Sequence, residues 1–167
     1  IGTVLAQVGC TYLNCNRAEE SLMYLTKALE IKLMLNDGTL SSTYAAVGRS
    51  LALKKDFEEA FEKLNEALNI SIKTMDRKSE AQAYYALFQV YNEKEDFIKA
   101  EESIRRCGDI LESIGANEEL AQCYIEMADF YQGINREKQA ANCISKALDI
   151  YNRLGESPGS LTNFLLS

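Results

Sequence analysis

The residues of this chain that could take part in chemistry are few, and they include no histidine. Its absence removes the most common general base and the most common metal ligand. Glu126 and Asp129 lie three residues apart, which places two carboxylates on one face of a helix. This pair would serve an all-helical enzyme, but no phosphate loop, calcium loop or nucleophile elbow accompanies it. We expect a non-catalytic chain with no cofactor and no metal site.

Cysteine usage indicates the compartment. The five cysteines are Cys10, Cys15, Cys107, Cys123 and Cys143. Their odd number and the absence of a C-x-x-C pair fit neither a disulfide framework nor a zinc site. A reducing cytoplasm is the simplest location for such a chain.

Composition favours a helical chain with a protein partner. The 167 residues are 47% hydrophobic and contain nine glycines and one proline, too few turn residues for a sandwich or barrel. A net charge of −7 repels nucleic acid, and no apolar stretch reaches the length of a membrane span. We therefore expect neither a nucleic-acid nor a membrane partner.

An internal repeat of about 40 residues organises the sequence. The aromatic residues Tyr44, Tyr84, Tyr124 and Phe164 are each separated by 40 positions. Apolar residues recur within each copy at intervals of three and four, which is typical of helices. Two helices per copy are predicted, at 2–14, 17–35, 41–54, 57–75, 81–94, 97–114, 120–133 and 136–154. The second helix of each pair should be longer than the first, so that the pair is not flush.

Polar and small residues punctuate the predicted helices. Side chains able to cap a second helix stand at Asn16, Asp56, Asp96 and Asn135, and Glu19 and Glu59 complete two capping boxes. Second helices should end near Asn36-Asp37-Gly38, Asp76, Gly115 and Gly155. Small residues that permit close helix packing are Gly9, Gly48 and Ala128 on first helices, and Ala28, Ala67 and Ala147 on second helices.

These positions resemble the tetratricopeptide repeat family over essentially the whole chain. The family pattern reads here as Leu5, Gly9, Tyr12, Ser21, Leu25, Ala28; Tyr44, Gly48, Leu51, Ala60, Leu64, Ala67; Tyr84, Phe88, Tyr91, Ala100, Ile104, Cys107; and Tyr124, Ala128, Tyr131, Ala140, Ile144, Ala147. The long period is similar to that of the extended 40-residue subclass. The resemblance implies an all-α fold, a right-handed α-solenoid of antiparallel helix pairs.

The predicted domain organisation is four helix pairs over 1–156, at about 1–40, 41–80, 81–120 and 121–156. Residues 157–167 form either a capping helix or the start of a truncated fifth repeat. Ser157-Pro158 would begin that helix, and Leu161, Phe164 and Leu165 would form its apolar face. The chain is expected to be a fragment whose cut ends could associate end to end.

The family resemblance also implies a binding groove on the inward face of the first helices. Carried over to this sequence, its main residues are Arg49, Tyr85, Gln89, Asn92, Glu93, Gln122, Glu126 and Asp129, with Ala45, Ala46, Ala52 and Leu53 on the same face. Glu93, Glu126 and Asp129 would converge there, and Arg49 would be the one inward cation. A partner with a basic end toward the C-terminal half of the chain is predicted.

Two functions remain open. The leading hypothesis is a non-catalytic module, part of a larger signalling or scaffold protein, that binds a peptide or protein segment in the groove. The alternative is the sensory domain of a bacterial signalling protein, which binds a small signal or peptide and controls an output domain outside the chain.

Overall fold

The computed structural model describes residues 1–35 and 37–155, and the regular secondary structure of these residues is entirely helical. The helices are α1 (Gly2–Asn14), α2 (Ala18–Leu35), α3 (Leu40–Leu53), α4 (Phe57–Lys73), α5 (Arg77–Glu93), α6 (Phe97–Ser113), α7 (Asn117–Gly133) and α8 (Glu137–Leu154). The predicted all-α class is confirmed. Asn36 and the segment 156–167, including Ser157, Pro158, Leu161, Phe164 and Leu165, lie outside the described residues.

The chain divides into two compact units, residues 1–106 and residues 107 onward. In the first unit, α1 packs on α2, α3 packs on α4, and α3 also contacts α2 and α5. In the second unit, α7 packs on α8. Each helix from α1 to α4 therefore packs on the helix that follows it, and α3 also contacts α5, the first helix of the next pair.

The observed helix boundaries agree with those predicted from the sequence except at the starts of two helices. Helices α5 and α7 begin at Arg77 and Asn117, about one turn earlier than predicted. Their first turns are polar, so apolar periodicity could not reveal them. The Asp76 side chain caps α5 by accepting a hydrogen bond of 3.0 Å from the Ser79 backbone N–H. The prediction of longer second helices is wrong for the third pair, because α5 and α6 each contain 17 residues. In the fourth pair the difference is one residue, with 17 in α7 and 18 in α8.

One turn geometry joins most of the helices. In each of six turns a left-handed residue is followed by a residue whose N–H bonds to the carbonyl five positions back, at 2.8–3.0 Å. This is the Schellman arrangement, which satisfies carbonyls that the end of a helix leaves without a partner. The left-handed residues are Asn16, Lys55, Met75, Glu95, Gly115 and Asn135.

The predicted polar caps are mostly wrong. Asn16 and Asn135 are left-handed turn residues that precede the cap position. Asp56 stands at the N-cap of α4, but its side chain accepts no capping hydrogen bond, so no capping box forms there. Asp96 does cap, accepting from the Lys99 N–H at 3.3 Å. Asp76 begins α5 instead of ending α4, because the backbone bonds of the Schellman turn already close that helix.

Replacing a left-handed side chain by glycine should stabilise the protein. A left-handed conformation costs a residue with a Cβ about 1–2 kcal/mol, and glycine avoids this cost. Glycine also makes the unfolded chain more flexible, which lowers stability by about 0.4–1 kcal/mol, so the net effect should be favourable. Met75→Gly and Glu95→Gly are each expected to raise the free energy of unfolding by about 0.5–1 kcal/mol. The converse, Gly115→Ala, should lower it by about 1 kcal/mol through backbone strain alone, because a Cβ there would meet no atom within 4 Å. Urea denaturation measures all three, and a loss of stability in both glycine variants would contradict the strain argument.

Helix pairs in the first unit meet where a side chain is missing. A Cβ built on Gly9 would lie 2.6 Å from Leu25 Cγ, and one built on Gly48 would lie 2.7 Å from Leu64 Cγ. Leu25 and Leu64 are fully buried. The predicted close packing at these two glycines is therefore confirmed, and each pair is held by one leucine seated against bare backbone.

The other predicted packing residues behave as expected, whereas two residues predicted for the ligand face are buried. Tyr44, Tyr84 and Tyr124 pack partly buried against the apolar clusters, and Cys107 is a buried core residue. Ala45 and Ala46 were expected on the ligand face but are buried. Both face the neighbouring helices, and Ala45 belongs to the same cluster as Leu64 and Val90.

Gly48→Ala should destabilise the protein although alanine is the better helix former. The new Cβ would overlap Leu64 and approach the Ala60 carbonyl oxygen at 3.1 Å, so neither a side-chain nor a backbone shift relieves it easily. Overpacking of this kind should lower the free energy of unfolding by about 2 kcal/mol.

Gly108→Ala is the matched control, because Gly108 also lies within a helix and its new Cβ would meet only Cys123 Sγ, at 3.8 Å. That variant should gain about 0.5–1 kcal/mol from helix propensity. Thermal melting of both variants tests the contrast, and equal shifts in Tm would show that the close contact does not decide stability.

Candidate functional site

A cleft of about 280 Å³ opens in the first unit between α1, α3 and α5. We call it the α1–α3–α5 cleft, and it is lined by Leu13, Asn16, Arg49, Ala52, Leu53, Lys55, Gln89, Val90 and Glu93. Leu13 and Val90 are buried, whereas Leu53 is 42% exposed. The cleft therefore combines apolar surface with a cation and an amide, a combination suited to binding a peptide.

Helical spacing brings the lining residues together. Arg49, Ala52 and Leu53 lie on one face of α3, and Gln89 and Glu93 lie four residues apart on α5. Three of the eight main residues predicted for the groove line this cleft, namely Arg49, Gln89 and Glu93. Asn16 and Lys55 were missed, because they follow the ends of their helices in the left-handed turns.

The charge of the cleft differs from the sequence expectation. Lys55 forms an ion pair with Glu93, so this carboxylate is neutralised locally. Both side chains are at least half exposed, so the pair should add at most about 1 kcal/mol to stability. No carboxylate of the described residues lies within 4.0 Å of the Arg49 guanidinium. Because Lys55 also lines the cleft, Arg49 is not its only cation. Lys55 is balanced by Glu93, so the charge left unbalanced in the cleft is the positive charge of Arg49.

Tyr85 and Asn92 do not line the cleft. Tyr85 is half-buried, and its ring lies 6.1 Å from the ring of Phe88, centroid to centroid. Asn92 is exposed at the end of α5. The family pattern identified the correct helix face, but neighbouring positions on that face lie outside the depression.

The remaining predicted groove residues, Gln122, Glu126 and Asp129, belong to α7 in the second unit. Gln122 donates a hydrogen bond of 3.2 Å from its side-chain amide to Glu126. Burial, and then the negative charge of Glu126, raise the pKa of Asp129. The negative charge of Glu126 on the same helical face therefore disfavours the ionised form of Asp129. Their convergence with Glu93 stays a prediction.

The pKa of Asp129 offers a test of this arrangement. Glu126→Gln removes the charge but not the burial, so the pKa of Asp129 should fall while remaining above its usual range. Because folding raises this pKa, the stability from Asp129 is greatest when it is protonated and is lost as pH rises through the folded value. An NMR titration of the carboxyl carbons measures the pKa, and urea denaturation at several pH values measures the stability, with Glu118→Gln as a control on the same helix. An unchanged pKa in Glu126→Gln would contradict the contact.

A second cavity in the first unit, of about 440 Å³, was not predicted. We call it the Lys32 pocket, and it is lined by Thr3, Ala6, Gln7, Cys10, Thr11, Leu25, Lys32, Thr39, Ser42 and Thr43. Lys32 is 3% exposed, and its Nζ donates a hydrogen bond of 2.8 Å to Thr43 Oγ1. The sequence signal was available, because Leu25, Ala28 and Lys32 follow the three-and-four spacing of the buried face of α2.

Cys10 lines the Lys32 pocket and is influenced by one cation from each cavity. Burial raises the pKa of its thiol, whereas the positive charges of Arg49 and Lys32 act to lower it. Both cations therefore influence one position on α1.

Comparison with known proteins identifies the repeat. Residues 3–33, which form α1 and most of α2, match the profile of the tetratricopeptide repeat. The match is to one tetratricopeptide repeat within these residues. A search of curated proteins found no match.

Solved structures extend the tetratricopeptide-like fold to most of the chain. A Rap protein in complex with Competence and Sporulation Factor superposes with a TM-score of 0.84 at 17% identity, over 90% of this chain and 43% of that one. Aspartyl phosphate phosphatase F from Bacillus subtilis gives 0.81 at 15% identity, over 92% and 41%.

The nearly identical TPR-like repeats of a Podosopora anserina protein described as a kinesin light chain give a TM-score of 0.72 at 16% identity. That match covers 90% of this chain and 75% of the other. The chain spans about two fifths of the length of the Rap protein and of aspartyl phosphate phosphatase F. At these sequence identities the likeness shows the fold alone. No helix among the described residues is both long and apolar enough to cross a bilayer.

Proposed function

We propose that this chain is a non-catalytic protein–protein interaction module that binds a peptide or protein segment in the α1–α3–α5 cleft, as part of a larger signalling or scaffold protein. The observation that carries the proposal is the cleft itself. Apolar Leu53 and the polar groups of Arg49 and Gln89 surround it, and they offer an extended segment both packing and hydrogen bonds. The tetratricopeptide fold is a scaffold for protein interactions, which supports the same function.

The proposed partner presents an acidic group to the first unit. Arg49 has no ion-pair partner among the described residues, so a carboxylate placed beside it would meet an unbalanced positive charge. In the second unit, Glu126 and Asp129 remain proposed contacts for a basic segment. The five cysteines all lie among the described residues and form no disulfide bond, which supports a cytoplasmic location.

A sensory domain is the second candidate. It is favoured by the likeness to a Rap protein solved in complex with Competence and Sporulation Factor. In this form of the proposal the ligand is a small signal or peptide, and the response passes to an output domain elsewhere in a longer protein. A ligand that binds one arrangement of the helices more tightly would shift the population toward it.

Affinity capture with a paired variant tests the leading proposal. Arg49→Glu with Gln89→Ala reverses one charge and removes one amide in the cleft. The matched control, Arg105→Glu with Gln139→Ala, makes the same changes on exposed faces of α6 and α8. A protein retained from lysate by wild type and control should be lost by the cleft variant, with binding at least about tenfold weaker when measured directly. Circular dichroism first establishes that both variants fold. Identical capture by all three proteins would exclude the cleft as the binding site.

A further inference from the structure

The Lys32 side chain is a buried cation with little to balance it. Lysine has three N–H donors, and the hydrogen bond to Thr43 engages one of them. None of the described carboxylates lies within 4.0 Å of Nζ. A buried charge without a counter-ion is costly, and it is rarely retained without compensation.

The fold does not require a cation at this position. The repeat spacing aligns Lys32 with Ser71, Leu111 and Tyr151 in the later copies, and none of these is charged. Ser71 and Leu111 are buried at the equivalent positions, where an uncharged side chain is therefore accommodated. The lysine is therefore a feature of the first repeat, and the cavity that it lines is a feature of the same place.

Neighbouring groups leave the positive charge available to a ligand. Hydrogen bonds from Thr39, and also the Lys32 charge, lower the pKa of the Asp37 carboxyl. This carboxylate forms no ion pair with Nζ within 4.0 Å, and it accepts hydrogen bonds from the Thr39 backbone N–H at 2.7 Å and from the Thr39 hydroxyl at 2.5 Å. The Thr43 hydroxyl donates to the Thr39 carbonyl while accepting from Lys32. Among the described residues, Gln7 and Thr3 line the pocket with side-chain donors that have no partner.

We propose that the Lys32 pocket binds a carboxylate of the partner segment, received by the Lys32 ammonium with Gln7 and Thr3 at the rim. The inference rests on the proposed function, because the ligand is an acidic residue of the bound peptide. One ammonium matches the single charge of a carboxylate, and no arginine fork suited to a phosphate dianion lines the pocket. Arg49 adds positive charge on the side where the α1–α3–α5 cleft begins.

Two variant pairs test the proposal. Lys32→Met removes the ammonium and keeps the volume, while Thr43 retains its bond to the Thr39 carbonyl. Its matched control is Lys27→Met, an exposed lysine on the same helix. Thr3→Glu places a negative charge on the exposed wall of the pocket, and Thr3→Gln is its neutral counterpart. The Thr3 pair decides the question if Lys32→Met does not fold.

The probe is a positional-scanning nonapeptide library, synthesised once with amidated and once with free C-termini, and once with phosphoserine in place of the acidic residues. Wild type should select Asp or Glu at one position, or a free C-terminal carboxylate. The two library forms distinguish these sources. Lys32→Met and Thr3→Glu should weaken the selected peptides about tenfold or more, and the two controls should leave them within about twofold. The melting temperature of Lys32→Met should equal or exceed that of wild type, because the buried charge is gone.

Other outcomes would overturn the proposal in separable ways. Selection without an acidic preference, or one that Lys32→Met leaves unchanged, would remove the carboxylate site while the interaction module stands. Preference for phosphoserine alone would replace the carboxylate with a phosphate. No selection from any library would remove the peptide-binding function together with the pocket.

Discussion

The contact of Leu25 with Gly9 and of Leu64 with Gly48 is the constraint on which the first unit depends. Each leucine side chain fills the space that a Cβ on the glycine would occupy. The two helices of a pair therefore approach more closely than any larger residue at that position would allow. That approach sets the position of α1 and α3 on their second helices. Both cavities are lined in part by α1 and α3, so these two close contacts help to set the positions of Arg49 and Cys10.

The fold could be predicted from sequence because its signal is repeated. Aromatic residues 40 positions apart and apolar residues at three and four located every helix, and the glycines at positions 9 and 48 indicated close packing correctly. The turns could not be predicted in the same way. Lys55, Met75 and Glu95 adopt a left-handed conformation that their residue types disfavour, because the backbone hydrogen bonds of the Schellman turn outweigh the local cost.

The candidate site was predicted only in part, for a different physical reason. The family pattern identifies a helix face, and Arg49, Gln89 and Glu93 on that face line the cleft. Whether a face residue lies in a depression depends on its neighbours in space. Tyr85 packs beside Phe88 and does not line the cleft. Lys55, which lies beyond the end of α3, lines the cleft and pairs with Glu93. Lys32 was overlooked because a lysine in a buried register contradicts the expectation that such positions are apolar. Natural chains accept such local conflict mainly where a site requires it.

The turns have a further consequence for how such a chain can change in length. From α4 onward, five helices of 17 or 18 residues are separated by four three-residue turns of one geometry, so the same backbone unit recurs every 20 residues. First and second helices are then alike in backbone and differ only in their side chains. Duplication of one unit would exchange the two roles for every helix that follows, whereas duplication of two units would preserve them. The chain can therefore grow or shrink without disturbing its core only in steps of two helices.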